Sequence, residues 1–197
     1  IKPYENESIV LSYMEQAEEL GALAVGMDLD HAFNSKGCHD KVLGFPMRPR
    51  SFKDIENYCK RTKLPFILKG VLSATDAKKC LMAGVGGIVV SHHHGILPSL
   101  VPPLMVLPEI VKVINGSIPI FVDCGIMNGT DAFKALALGA TAVSVGQPVM
   151  RAITKDGVQG ATNTINDITA ELAGVMARTC SRNIKDIDSS LLWRRDG

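Results

Sequence analysis

Apolar residues along the chain fall into two alternating patterns. Five short runs, at 23–28, 65–70, 86–91, 118–124 and 141–146, are apolar almost without a break. That is the pattern of strands covered on both faces, not of strands with one face in water. Polar or glycine residues stand at their C-terminal ends: Asp28, Lys69 with Gly70, Ser91, Asp123 and Gly146. Between the runs, apolar residues recur at helical spacing. The spacing predicts helices at 7–20, closed by Gly21, then at 51–63, at 73–84 behind the cap Ser73-Ala74-Thr75-Asp76, at 102–115, at 130–138 closed by Gly139, and at 167–180. Uninterrupted alternation of strand and helix predicts a parallel sheet with right-handed crossovers.

An open doubly wound sheet and a closed barrel both satisfy that alternation. The barrel is favoured because every strand, not one switch point, ends in residues suited to a site. The turns 125–129 and 146–148 also follow the last two strands, where barrels hold phosphate. Residues 1–4 read as the tail of a further strand, which makes about six strands of the eight a closed barrel needs. The expectation is therefore α/β, a single (β/α)8 TIM barrel domain over 1–197 lacking its first strands, which would lie upstream of Ile1.

Composition acts mainly by exclusion. The chain is 46% apolar with a formal net charge of +1, and its basic residues are scattered. Neither a nucleic acid nor an anionic membrane is expected as partner. No run is long enough to cross a bilayer. The five cysteines share no metal-ligand spacing, and their odd number fits reduced thiols in a cytoplasmic protein. Exposed strand edges would favour a homo-oligomer.

Three segments carry candidate chemistry. Lys69 follows Phe66-Ile67-Leu68 and would project an ammonium from an apolar strand, which is costly unless an anion meets it. Three readings stand: a cation for the anionic ring of a reduced flavin, a Schiff-base lysine, and a lysine paired with a strand-end carboxylate such as Asp28. The second segment is Ser91-His92-His93-His94-Gly95. Successive side chains of an extended segment alternate in direction, so one of these histidines, not all three, is expected to face a site as general base. A metal held by His92 and His94 lacks a third ligand at suggestive spacing, and no metal is expected. The third segment runs from Asp123 through Gly125 to Gly129 and opens a helix. Glycines there let a backbone approach a ligand, and exposed N–H groups at a helix start bind phosphate. Cys124, beside it, reads as a packed thiol.

These residues in this order resemble the FMN-dependent 2-hydroxy-acid oxidase and dehydrogenase family, which includes glycolate and lactate oxidases. The likeness is densest in Leu64-Pro65-Phe66-Ile67-Leu68-Lys69-Gly70-Val71, in Gly87-Ile88-Val89-Val90-Ser91, and in the run from Gly129-Thr130-Asp131 to Gly139-Ala140. The resemblance implies FMN as cofactor. It places the flavin-ring lysine at Lys69, the serine before the catalytic histidine at Ser91, and the histidine that takes the substrate's hydroxyl proton at His93. The ribityl-binding aspartate falls on Asp123 and the phosphate glycines on Gly125, Gly129 and Gly146, with Gln147 beside the last.

Departures from the family pattern are equally specific. The arginine that grips the substrate carboxylate is replaced by Ile96, and charged contacts of that kind are worth about 1.5–3 kcal/mol. Arg48, Arg50 and Lys36 are the candidates to replace it. The two phosphate-turn arginines correspond to Met127 and Gln147. His92 and His94 stand where the family has asparagine and glycine, and Lys2 lies near the place of a substrate-binding tyrosine. The expectation is an FMN-dependent oxidoreductase acting on a small molecule, a hydroxy acid or related anion, with altered substrate. The alternatives are a Schiff-base lyase or isomerase on the same barrel, and a non-catalytic barrel that has lost FMN.

Overall fold

The computed structural model of the chain describes residues 1–34, 36–93 and 99–193. The chain divides into two compact units, Ile1–Ile120 and Phe121–Gly197. Each is taken by itself.

The first unit opens with helix α1 (Glu7–Glu19), whose cap Asn6 accepts from Ser8 N–H at 3.0 Å. Strand β1 (Val25–Asp28) follows, then a small antiparallel hairpin of β2 (Lys41–Val42) and β3 (Phe45–Pro46). Helix α2 (Phe52–Arg61) starts in a capping box between Ser51 and Asp54. Strand β4 (Phe66–Val71), helix α3 (Ala74–Met82), strand β5 (Gly87–Val90) and helix α4 (Pro103–Ile114) complete the repeat. Strand β6 (Ile120–Val122) begins at the unit's last residue.

β1 pairs in parallel with β4, setting Asp28 beside Lys69, and β4 pairs in parallel with β5, setting Lys69 beside Val89. Side chains alternate across these strands. Val25, Met27, Phe66, Leu68, Ile88 and Val90 are buried, as are Val10, Ile55, Tyr58, Leu107 and Ile110 of the helices. Each such apolar side chain contributes about 1.5–3 kcal/mol. A slip of one residue would drive the Lys69 ammonium into that apolar layer, so the register is firmly set. The opposite face of the strands carries Gly26, Asp28, Ile67, Lys69 and Val89, which line a cavity of about 650 Å³.

The strand expected at 1–4 is reduced to one pairing. The Ile1 nitrogen donates to Gly26 O at 2.5 Å and Asp28 N–H to Ile1 O at 3.4 Å, the pattern of a parallel pair. Tyr4 instead forms an antiparallel bridge with Met47, drawn there by the hairpin that the sequence pattern does not reveal.

In the second unit β6 pairs in parallel with β7 (Ala142–Val143), and helices α5 (Gly129–Ala137) and α6 (Gln147–Arg178) follow their respective strands. Here the expectation needs correction, because α6 begins at Gln147 and not near Asp167. Its first half, broken at Asp156 and Gly157 (φ +59°), is rich in polar residues and glycine, so no apolar stripe betrays it. Pro148 presets the helical φ of the first turn. Among the described residues no helix is long and apolar enough to cross a membrane.

Candidate active site

The site in the first unit is built from three consecutive strand ends. The Lys69 ammonium lies 3.0 Å from Ser91 Oγ, 3.3 Å from Asp28 Oδ1 and 3.4 Å from His93 Nδ1. Ser91 is fully buried and its hydroxyl also accepts the His93 N–H at 3.1 Å. His93 sits in the left-handed region (φ +49°). That sharp turn after β5, secured by the serine, brings the imidazole back toward β4. Its Nδ1 meets Asp30 Oδ1 at 2.8 Å and Asp28 Oδ1 at 3.3 Å. The ring of His31 stacks on it, with centroids 5.0 Å apart and planes inclined by 17°. A second ammonium, Lys2 Nζ, donates to Asp28 Oδ2 at 2.7 Å.

One imidazole thus meets Lys69, Asp28 and Asp30, with Lys2 behind Asp28. Burial would push the Asp28 carboxyl up, but hydrogen bonds from Asp30 and Lys2 and the charge of Lys69 hold it well below the usual carboxylate range. Asp30 goes the other way. Burial, and then the neighbouring Asp28 carboxylate, push it up to about 6 against the pull of His93 and Lys69. Asp28, Asp30 and His93 present ligand atoms within 4.8 Å of one another. The ammonium of Lys69 already supplies the positive charge at that place.

The second unit, taken by itself, holds the two turns. Cys124 (φ +64°) and Gly125 (φ +82°) carry the chain from β6 toward α5, and the Cys124 thiol bonds Asp123 Oδ1 at 2.9 Å. Nothing lies within 4 Å of where a Cβ would stand on Gly125 or on Gly146. Both turns thus leave open backbone of the kind an anion needs. At the start of α5 three donors are already used. Asn128 caps Asp131 N–H at 2.9 Å, Met127 N–H goes to Asp131 Oδ2 at 3.2 Å, and Gly129 N–H goes to Glu171 Oε2 at 2.8 Å. A Cβ on Gly129 would lie 2.2 Å from the Leu172 nitrogen, so this glycine lets α6 pack onto α5. Gln147 is the first residue of α6.

Of the residues singled out in the sequence, the first unit brings Lys69, Ser91 and His93 into one cluster. The pairing of Lys69 with Asp28, read as the plain structural alternative, is also present. His92 does not join the contacts of the His93 ring given above, and His94 and Ile96 lie outside the described residues. Two of the three candidates to replace the lost arginine, Arg48 and Arg50, are engaged elsewhere. Arg48 pairs with Asp54 at 3.1 Å, and Arg50 donates to Tyr4 O with its guanidinium 5.7 Å from the centre of the Tyr58 ring. The cation that does reach the cluster is Lys2. Asp30 escaped sequence reading because its partner His93 is 63 residues away. Only an acidic residue just past a strand end hinted at it.

Comparison with known proteins agrees with this geometry. Residues 47–194 match the model of the FMN-dependent dehydrogenase family. A 2-hydroxyacid oxidase of Dictyostelium discoideum is 41% identical over 133 residues, covering 67% of this chain and 34% of that protein. Spinach (Spinacia oleracea) glycolate oxidase is 38% identical over 158 residues, covering 80% of this chain and 43% of its own length. A solved mandelate oxidase variant carrying a monooxide FMN adduct superposes with a TM-score of 0.86 at 32% identity, over 95% of this chain and 60% of its own. The chain therefore spans about a third to three fifths of these relatives. The fold class expected from the sequence, the (β/α)8 barrel, is that of the structural neighbours. The chain belongs to the FMN-dependent dehydrogenase family.

Proposed function

We propose that this chain carries the base and the flavin-facing cation of an enzyme that oxidises a 2-hydroxy acid or related anion with FMN. The observation that carries the reading is the meeting of Lys69, Ser91 and His93 at consecutive strand ends, with Nζ and Nδ1 3.4 Å apart. Bound FMN would supply the acceptor for the electron pair of the oxidised substrate. His93 holds its ring by Nδ1 and so directs Nε2 outward as the base for the substrate's hydroxyl proton. Lys69, fixed by Ser91 and Asp28, offers a preorganised positive charge to an anionic ring. Within the second unit, Asp123, the open backbone at Gly125 and Gly146, and Gln147 are the candidates for contacts to FMN, Gln147 offering a neutral donor where the family has an arginine.

Lys2 supplies the charge for the substrate's carboxylate in place of the arginine lost at Ile96. It is the second ammonium at Asp28 and is 30% exposed, so its charge reaches the cavity. A Schiff-base reading fits less well, since Lys69 is engaged as an ion with Asp28, whereas a lysine that forms an imine attacks as the neutral amine. Five free thiols support a reducing, cytoplasmic setting.

The test is the intact protein's absorption spectrum followed by anaerobic mixing with a panel of 2-hydroxy acids. A bound flavin whose visible band bleaches with one of them is expected. His93→Ala should keep the flavin and slow bleaching by about 10²–10⁴-fold, the usual worth of a general base. A colourless protein that FMN does not reconstitute contradicts the reading.

A further inference from the structure

We propose that His31 is a positioning residue: its ring is the platform that holds the His93 imidazole and faces the positive charge that imidazole gains on taking a proton. This rests on the reading of His93 as the base. The two rings lie almost parallel, with centroids 5.0 Å apart and planes inclined by 17°. Ser91 fixes the backbone of His93, and Lys69, Asp28 and Asp30 meet its Nδ1. Contacts at Nδ1 hold one edge of the ring and leave it free to tilt about that edge. His31, lying against a face, opposes the tilt.

Local structure delivers His31 to that face. β1 ends at Asp28, and the chain turns at once through a single 3₁₀ turn, Leu29–His31. Side chains three apart in such a turn lie on one side, so His31 returns to the side of Asp28. The loop beyond doubles back on itself. Phe33 bridges His39 in antiparallel fashion, and Asp40 N–H donates to Ala32 O at 3.1 Å. The nitrogens of His31 take little part. Nδ1 is buried without a hydrogen-bond partner, and Nε2 stands 3.7 Å from Asp40 Oδ2, beyond hydrogen-bonding reach. Buried polar atoms are normally bonded, so a ring that leaves Nδ1 idle is placed for its flat face.

That face suits a charge. The Lys69 ammonium already stands 3.4 Å from His93 Nδ1, and another cation beside the ring would oppose its protonation. His31 supplies none. The groups facing it are Lys2, His93, Asp40 and Asp28. Burial, then Lys2 and His93, push its proton affinity below the usual histidine range against the two acids. An uncharged aromatic face attracts a neighbouring cation, and a stacked pair of rings adds to that attraction.

The experiment uses the intact FMN-loaded protein as wild type, His31→Phe and His31→Leu. NMR of ¹³C-histidine-labelled samples follows the titration of His93, assigned by the signal lost in His93→Ala; this readout needs no substrate. Stopped-flow flavin reduction, with whichever of glycolate, L-lactate and (S)-mandelate bleaches the wild type, gives a limiting rate and a half-saturation concentration. His31→Leu, similar in bulk but without an aromatic face, should lower the proton affinity of His93 about three- to tenfold. The limiting rate should fall by up to the same factor, with half-saturation unchanged. His31→Phe keeps the face and should stay within about twofold of wild type in both readouts. Should His31→Leu fail to fold, His31→Gln is judged by the same readouts. The proposal is overturned if the variant without the aromatic face titrates like the wild type, or if His31→Phe falls with it. A raised half-saturation with an unchanged limiting rate also overturns it, placing His31 in substrate binding. If the titration of His93 follows the ring at position 31 while His93→Ala still reduces flavin normally, the platform stands and the base reading fails.

Discussion

The ends of β1, β4 and β5 and the ends of β6 and β7 meet the same sequence expectation, polar or glycine residues closing an apolar strand, in opposite ways. The first group concentrates formal charge: two lysines, two aspartates and a histidine within hydrogen-bonding or ion-pairing distance. The second group has shed its positive charge. Met127 and Gln147 stand where the family carries arginine, and the carboxylates of Asp131 and Glu171 cap helix donors. Chemistry explains the contrast. A proton and an electron pair must be met by a defined charge at a defined atom, whereas an anion can be held by backbone N–H groups that any sequence possesses. Loss of charge is tolerable in the turns and costly in the cluster.

Three substitutions sharpen or break that contrast. The largest effect is expected at Gly129, where an added methyl would meet the backbone of α6 at 2.2 Å. Gly129→Ala should cost about 3 kcal/mol, the upper range for overpacking, seen as a lower denaturation midpoint. An unchanged midpoint would mean that α5 and α6 do not pack as described. Next comes Lys69→Met. Loss of a charged contact worth about 2 kcal/mol corresponds to roughly 40 mV in a two-electron couple, so the flavin midpoint should fall by that amount. An unmoved potential would remove Lys69 from the flavin. The smallest effect is a gain. Gln147→Arg restores a charged donor to the second turn and should tighten FMN binding about tenfold, measured by equilibrium dialysis. No gain would show that this turn does not face the phosphate.

Much of the scaffold is legible in the sequence because buried parallel strands announce themselves as unbroken apolar runs. The run at 65–70 becomes β4 (Phe66–Val71) and that at 86–91 becomes β5 (Gly87–Val90). Lys69, Ser91 and His93 are legible because each interrupts or ends such a run with a group that is expensive to bury idly. The rest depends on contacts that local spacing does not encode. Asp30 and Lys2 reach the cluster only when the residues after β1 and the start of the chain fold back on it. Arg48 and Arg50 look available until α2 and Tyr4 claim them. The first half of α6 is hidden because it presents no apolar stripe.

The claim on which all of this turns is that Lys69 and His93 face one bound flavin. It is tested most directly by a crystal structure of the intact protein with FMN. The isoalloxazine ring is expected with Lys69 Nζ within hydrogen-bonding reach, about 3 Å, and His93 Nε2 turned to the space over the ring. A flavin bound away from the ends of β4 and β5, with Lys69 still enclosed between Asp28 and Asp30, would contradict it.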